Sequence, residues 1–252
     1  MTKIEWTDIT YNPITVKSGG HWCRKISAGC ANCYAENMNL DTTRYGDRSF
    51  ASGLAYKGEP PELELNYAML ESWSRMRKSK RIFVCSMTDW CGDWIHRDWQ
   101  LSMLDAMIKA PKQTFMLLTK RAAILEDVVS QNFDESATKN IWFGVSVENQ
   151  RTANERLPYL VEIKALGANT FVSFEPLLEH VQIGDYARDI DLAIVGAESG
   201  KGARPMDENW VRSLRDEIKK ANKLFFYKQK VVNGRKVSLP ELDGKVWSEL
   251  PL

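Results

Sequence analysis

The 252-residue sequence predicts an α/β fold built on a parallel sheet, and three observations predict it. Six runs are rich in Ile, Val, Phe and Leu: "RIFVCSM" (81–87), "QTFMLLT" (113–119), "NIWFGVSV" (140–147), "NTFVSFE" (169–175), "DLAIVGAE" (191–198) and "KLFFYKQ" (223–229). They are nearly continuous rather than alternating, as strands covered on both faces are. Amphipathic stretches lie between them, and successive runs begin 22 to 32 residues apart, about one strand–helix–strand unit. Each run also stops at polar groups: Ser86, Thr88 and Asp89; Thr119, Lys120 and Arg121; Ser146, Glu148 and Asn149; Ser173 and Glu175; Glu198 and Ser199; Lys228 and Gln229. An open sheet gathers only the strand ends beside its switch point, whereas a barrel brings every end to one rim. The repeated polar ends therefore favour a partial (β/α) TIM-like barrel.

The remaining elements follow in order. "ITYNPITV" (9–16) reads as one short first strand ahead of the six. The stretch "PELELNYAMLESWSRMRKS" opens on Pro61 and is expected to be helical, with Leu63, Tyr67, Leu70 and Trp73 along one face. In "RDWQLSMLDAMIKA", Leu101, Leu104, Met107 and Ile108 are expected to face one way. In "DENWVRSLRDEIKKANK", Asp207 suits the cap, Trp210, Val211, Leu214 and Ile218 form a stripe, and Asn222 suits the left-handed stop. "VVNGRKV" (231–237) carries the Asn-Gly of a type I′ hairpin. No Pro/Ser-rich linker interrupts the chain; the polar loop 44–61 is the longest irregular stretch, so a single domain over 1–252 is expected.

Lys and Arg number 34 against 33 Asp and Glu, a net charge of +1, so no global field draws the protein to nucleic acid or an anionic membrane. The polar N-terminus "MTKIEWTDITYNP" lacks the apolar core of a signal peptide, and runs such as "FMLL" are far too short to span a bilayer. A cytoplasmic protein with reduced thiols and no membrane contact is the expectation.

Three of the five cysteines fall in "HWCRKISAGCANCYAE" (21–36), at Cys23, Cys30 and Cys33. A structural zinc site wants four ligands, and the C-x6-C-x2-C spacing supplies three. His21 is too close to Cys23 in sequence for both side chains to reach one tetrahedral ion easily. Cys85 sits in an apolar strand, where a thiol serves as a small hydrophobe. Cys91 is a better fourth ligand, and His96 is the remaining choice. Three thiolates without a fourth suit a [4Fe–4S] cluster, which leaves one iron open to a small molecule. The position of the loop, just after the first strand and at the mouth of the βα repeat, favours iron–sulfur over zinc.

Glu148, Glu175 and Glu198 stand at equivalent strand ends. They can orient a cosubstrate, bind an amine or act as acid and base, or else pair across the rim with Lys120, Arg121, Arg204 and Lys228. "ESGKGARP" (198–205) is glycine-rich and basic ahead of a helix, as a phosphate cradle or a plain turn would be, without the order of a Walker loop. "RMRKSKR" (75–81) lies near Trp73, Trp90, Trp94 and Trp99, a pattern shared by single-strand nucleic-acid binding and by an ordinary basic helix end beside a core. The candidate site is thus Cys23, Cys30 and Cys33 for metal, and Glu148, Glu175 and Lys120 for catalysis. Ser86, Asp89, Glu198, Ser199, Arg204 and Lys228 are the candidates for cofactor binding.

A three-cysteine loop after the first strand of a partial barrel resembles the radical S-adenosylmethionine superfamily. Over nearly the whole chain, "IEWTDITYNPIT", "CRKISAGCANCYAE", "SMTDW", "LLTKR", "GVSVENQ", "SFEPLL", "GAESGKGARPM", "FFYKQ" and "LDGKVWSELP" resemble a family of phage and bacterial three-Cys-motif proteins. The resemblance implies a [4Fe–4S] cluster and S-adenosylmethionine, whose cleavage yields a 5′-deoxyadenosyl radical that takes a hydrogen from a substrate. It also implies a three-Cys-motif partner protein, and nucleic acid as a candidate substrate. The chain departs from the superfamily in its six residues between the first two cysteines, against the usual three, in Asn32 before Cys33, and in "SMTD" where the superfamily has Gly-Gly-Glu. The rival reading is a non-catalytic module in which zinc or a cluster organises a surface for nucleic acid or a partner protein.

Overall fold

Strands that are apolar on both faces pair side by side, and here they do so in the order of the sequence. The computed structural model describes residues 4–44, 50–200 and 202–251. The six expected strands are β4 (Arg81–Val84), β5 (Thr114–Thr119), β6 (Ile141–Ser146), β7 (Asn169–Phe174), β8 (Leu192–Gly196) and β9 (Leu224–Val232). With β1 (Ile9–Tyr11) beside β4 and β10 (Arg235–Ser238) beside β9, the main sheet among the described residues has eight strands, in the order β1-β4-β5-β6-β7-β8-β9-β10. All neighbours are parallel except the β9–β10 pair. A sheet without a switch point, twisted with one hand, curls into a half-barrel. Its outer face is covered by α2 (Tyr67–Ser74), α3 (Arg97–Ile108), α4 (Ala122–Asn132), α5 (Gln150–Ala165) and α6 (Glu208–Lys220).

The strand period of two then sorts the side chains. On β5 to β9, Phe115, Leu117, Phe143, Val145, Val172, Phe174, Ala193, Val195, Phe225 and Tyr227 pack outward under the helices. The alternate residues Phe83, Met116, Phe171, Leu192, Ile194 and Phe226 form a separate inner cluster with Trp6. Each inner column runs from large apolar side chains at its base to polar or small ones at its C-terminal end. Examples are Met116, Leu118, Lys120 and Leu224, Phe226, Lys228.

The N-terminal segment spans the open side of the half-barrel. Glu5 accepts hydrogen bonds from Ser238 Oγ (2.5 Å) and pairs with Lys236 (2.6 Å) on β10. Asp8 accepts from the Arg81 amide (2.8 Å) and Thr7 donates to the Arg81 carbonyl (2.8 Å) on β4. Between them Trp6, 1% exposed, lies against Phe83 and Phe171, with ring centroids at 4.7 and 6.2 Å. Phe171 lays its ring over Gly144, its register partner on β6, where a Cβ would stand 2.3 Å from the ring. Gly144→Ala is therefore expected to destabilise the fold by about 1–3 kcal/mol through overpacking. A fall in the urea midpoint without a change in slope will show it.

Several expectations change. The first strand is two strands: Pro13 has no N–H for a ladder, so β1 ends before it and β2 (Ile14–Val16) starts after it. β2 leaves the main sheet and pairs antiparallel with β3 (Leu63–Leu65), inside the stretch expected to be helical. The helix α2 begins only at Tyr67, where the Asn66 side chain accepts from the Met69 amide (2.9 Å). Leu70 and Trp73 are buried as expected, but Tyr67 is 55% exposed. On α3 the buried stripe is Gln100, Met103, Leu104 and Met107, with Leu101 and Ile108 half-buried. Gln100 belongs inside because its amide donates to the Trp90 carbonyl (3.0 Å).

α6 follows its reading: Asp207 accepts from the Asn209 amide, Val211, Leu214 and Ile218 are buried, and Asn222 is left-handed (φ 57°). Burial of each such side chain contributes about 1.5–3 kcal/mol. The β9–β10 turn places Asn233 (φ 50°) and Gly234 (φ 72°) both left-handed, as type I′ requires. The short pair β11 (Glu241–Leu242) and β12 (Lys245–Val246) closes the described chain. Among the described residues no helix is long and apolar enough to cross a membrane.

Candidate metal centre at the mouth of the half-barrel

The polar tier of the lumen opens into a cavity of about 1250 Å³. Of the residues expected to form the site, Cys30, Cys33, Ser86, Lys120, Glu175, Glu198, Ser199 and Lys228 line it. Cys23, Asp89, Glu148 and Arg204 are not part of its lining.

The cysteine loop runs from β2 to the short helix α1 (Tyr34–Leu40). His21 is buried with its Nδ1 3.3 Å from the Ile14 carbonyl, and burial lowers its pKa. The Thr88 hydroxyl donates to the Trp22 carbonyl (2.6 Å) and fixes the chain just before Cys23. Cys30 closes a 3-10 turn, and Cys33 caps α1. Burial pushes the Cys23 thiol up to about 12, with Asp89 adding to the rise and Arg121 opposing it. Burial also raises Cys33, against the Glu36 and Ala35 amides and the Lys120 charge. Such thiols keep their protons until a metal displaces them.

All five cysteines are free thiols. Cys85 and Cys91 are 2% and 0% exposed and belong to the apolar core. His21 is tied to β2, and His96 is the N-cap of α3, packed on Trp99. None of these four supplies the fourth ligand that a structural zinc site wants. Among the described residues no three His, Cys, Asp or Glu groups converge on one ion position. A cluster asks for something else, because each thiolate binds its own iron and the donors must surround a space rather than a point. Cys23 and Cys33, and Cys33 and Cys30, are near enough for their charges to interact, and two of the three face the cavity. This soft, three-thiol donor set fits an iron–sulfur cluster.

The rim carboxylates are all paired. Glu148 is fully buried, with Lys120 Nζ and Arg156 Nη1 each at 3.1 Å and the Ser27 hydroxyl donating at 2.8 Å. Burial alone would raise its pKa, but Lys120, Arg156 and Ser27 outweigh it and hold the carboxyl below its ordinary range. Glu175 pairs with Lys228 (2.8 Å) and accepts from Ser173 Oγ (3.0 Å). Asp89 accepts from Thr119 Oγ1 (2.6 Å), the Lys120 amide (3.1 Å) and Arg121 Nη1 (2.9 Å). Ser86 shares a hydrogen bond with Asn12 (3.2 Å).

Glu198 accepts from the Arg204 amide (3.0 Å), Arg204 Nε (2.9 Å) and Asn32 Nδ2 (2.9 Å). Burial works to raise it, yet the Arg204 and Asn32 bonds bring it from 4.5 to about 2. A depressed folded pKa stabilises above the unfolded value and is lost as pH falls through the folded one. The wild-type urea midpoint is expected to drop more steeply between pH 4.5 and 2 than that of Glu198→Gln.

Sequence reasoning missed Ser27 and Arg156, and noted Asn32 only as a departure from the superfamily. Gly29 carried a faint signal, as a glycine beside a ligand; Arg156 carried none, since it is a helical residue brought in only by the packing of α5. Trp73 and Trp90 are 0% exposed, so base stacking is closed to them. Lys80, from the basic run 75–81, precedes β4 and touches the cavity only at the N-terminal edge of the sheet, the opposite end from the thiols. Lys201 of the glycine-rich stretch 198–205 and residues 45–49 of the polar loop lie outside the described residues.

Residues 1–251 match a family described as "Protein of unknown function (DUF5131)". The chain belongs to that family. No curated protein matches this DUF5131 chain at a significant level. Among solved structures it is similar to a spore photoproduct lyase double mutant with bound AdoMet and dinucleoside spore photoproduct, at 13% identity and a TM-score of 0.43. That likeness covers 83% of this chain and 60% of the other, so the chain spans less than two thirds of it. A single-site mutant of spore photoproduct lyase is similar at 12% identity and a TM-score of 0.43, covering 83% of this chain and 72% of that one. Spore photoproduct lyase complexed with dinucleoside spore photoproduct gives 11% identity and a TM-score of 0.40, covering 75% and 68%.

Proposed function

We propose that this chain is an iron–sulfur enzyme of the radical S-adenosylmethionine type, with Cys23, Cys30 and Cys33 holding a [4Fe–4S] cluster. The observation that carries the proposal is the placement of the three thiols at the mouth of the half-barrel, two of them facing a 1250 Å³ cavity ringed by polar strand ends. A cluster of this kind, with S-adenosylmethionine, supplies one-electron chemistry that removes a hydrogen atom from a substrate. The chain's residues bind, orient and exclude water. Glu175 and Lys228, paired 2.8 Å apart in the cavity wall, match the ammonium and carboxylate of an amino-acid moiety. Ser86 and Ser199 offer hydroxyls on the same wall. Trp6, Phe83 and Leu118 give the cavity an apolar floor that keeps water from a reactive centre.

The test is metal and sulfide analysis of anaerobically purified protein, followed by EPR of the reduced sample with and without S-adenosylmethionine. About four iron and four sulfide per chain is expected, the content of one [4Fe–4S] cluster. The spectrum is expected to change when S-adenosylmethionine is added. One zinc and no sulfide would overturn the reading in favour of a metal-stabilised binding module. An unchanged spectrum would keep the cluster and remove the cosubstrate.

A further inference from the structure

The charged strand ends reach towards the cysteine loop as much as towards the cavity. From the end of β6, Glu148 accepts from Ser27 Oγ at 2.8 Å. Gly29 lies so close that a Cβ there would stand 2.5 Å from Glu148 Cγ. From the end of β8, Glu198 accepts from Asn32 Nδ2 at 2.9 Å. Its partner Arg204 donates to the Ala28 carbonyl at 2.9 Å. From beyond β4, Asp89 holds Arg121 at 2.9 Å, and Arg121 donates to the Arg24 carbonyl at 3.1 Å. Each of these carboxylates is less than 9% exposed and already has a cation beside it. Each also spends at least one hydrogen bond, directly or through its arginine, on the loop between the cysteines.

We infer that Asp89, Glu148 and Glu198 are positioning residues, which hold the loop 24–32 at three points so that the thiols stand ready at the cavity mouth before metal arrives. Glu148 thereby leaves the set of groups that meet substrate, although its place at a strand end suggests an acid or base. The physical reason is preorganisation. A loop with Gly29 in it and few apolar anchors orders itself only if polar bonds to a rigid sheet replace the missing packing. Bonds to ionised acceptors shielded from water are the strongest available. The reason such a loop is needed rests on the proposed function; the tethering itself does not.

Replacing a buried carboxylate disturbs the core, so the test removes its loop-side partner instead. Hydrogen–deuterium exchange is followed in the metal-free full chain for wild type, Ser27→Ala, Asn32→Ala and Ser27→Thr. The reporters are the Cys30 and Ala31 amides, which bond to the Ser27 and Ala28 carbonyls in the turn. Loss of a bond to a charged group is expected to speed their exchange by about tenfold or more in the two alanine variants. Exchange in β5 to β8 should stay as in wild type, and Ser27→Thr, which keeps the hydroxyl, should restore protection. In iron-loaded protein the alanine variants are expected to lose iron to a chelator faster by a similar factor. Unchanged exchange at Cys30 and Ala31, or an equal rise throughout the chain, would overturn the inference. Wild type that takes up no iron would sink the proposed function and leave the exchange result to decide this one.

Discussion

Cys33→Ala is expected to take the iron and sulfide content of the reconstituted protein from the proposed value of about four of each per chain to less than one, the content of a lost [4Fe–4S] cluster. Cys23→Ala and Cys30→Ala are expected to do the same. A three-thiolate site has no spare donor, and His21, Cys85, Cys91 and His96 are held elsewhere by the fold. Cys85→Ala and Cys91→Ala are the internal controls. Both thiols are buried in the apolar core, so these changes cost packing, and metal content should stay at the wild-type level. Iron and sulfide analysis beside the absorbance of the cluster reads all five variants. A variant at Cys85 or Cys91 that folds but loads no iron would show that the ligand set is wrongly drawn.

The second large effect is on stability. Glu148→Ala removes the one carboxylate shared by Lys120 and Arg156 and leaves two cations facing each other across a void. Removing one partner of a buried ion pair costs about 3–5 kcal/mol. Lys120 retains 20% exposure, which lets water reach it and favours the lower end, about 3 kcal/mol. For a chain of this size that corresponds to a melting temperature lower by roughly 6–12 °C. The sign with pH follows from the lowered pKa of Glu148. Its contribution is complete above the ordinary carboxyl value of 4.5 and fades as pH falls below it. The gap between wild type and Glu148→Ala should therefore narrow in acid, and calorimetry across that range will measure it. A variant that melts with wild type at neutral pH would mean that Glu148 is not the keystone drawn here.

The cysteine spacing and the strand ends were legible in the sequence because both are local. Strands buried on two faces are apolar over most of their length, and the polar residues that close each run mark where the strand ends; β4 to β9 obey this to within a few residues. The Asp207 cap and the Asn233-Gly234 turn were legible for the same reason, since a backbone conformation restricts the residue that adopts it. The split of 9–16 into two strands was written at Pro13 but needed the pairing of β2 with β3 to become visible. The α3 stripe was misread by one position because Gln100 is buried through a carbonyl that only the packed chain brings near.

The sequence by itself determined that six covered strands would repeat with helices, that their polar ends would share one edge, and that three thiols would enter at that edge. The tertiary structure alone decided which way those ends turn. Ser27 meets Glu148 across 121 positions of chain and Asn32 meets Glu198 across 166, distances over which no local pattern carries information. Whether a rim glutamate faces a substrate or braces a loop depends on which cation and which loop atom stand within 3 Å of it, and that is set by the curl of the sheet.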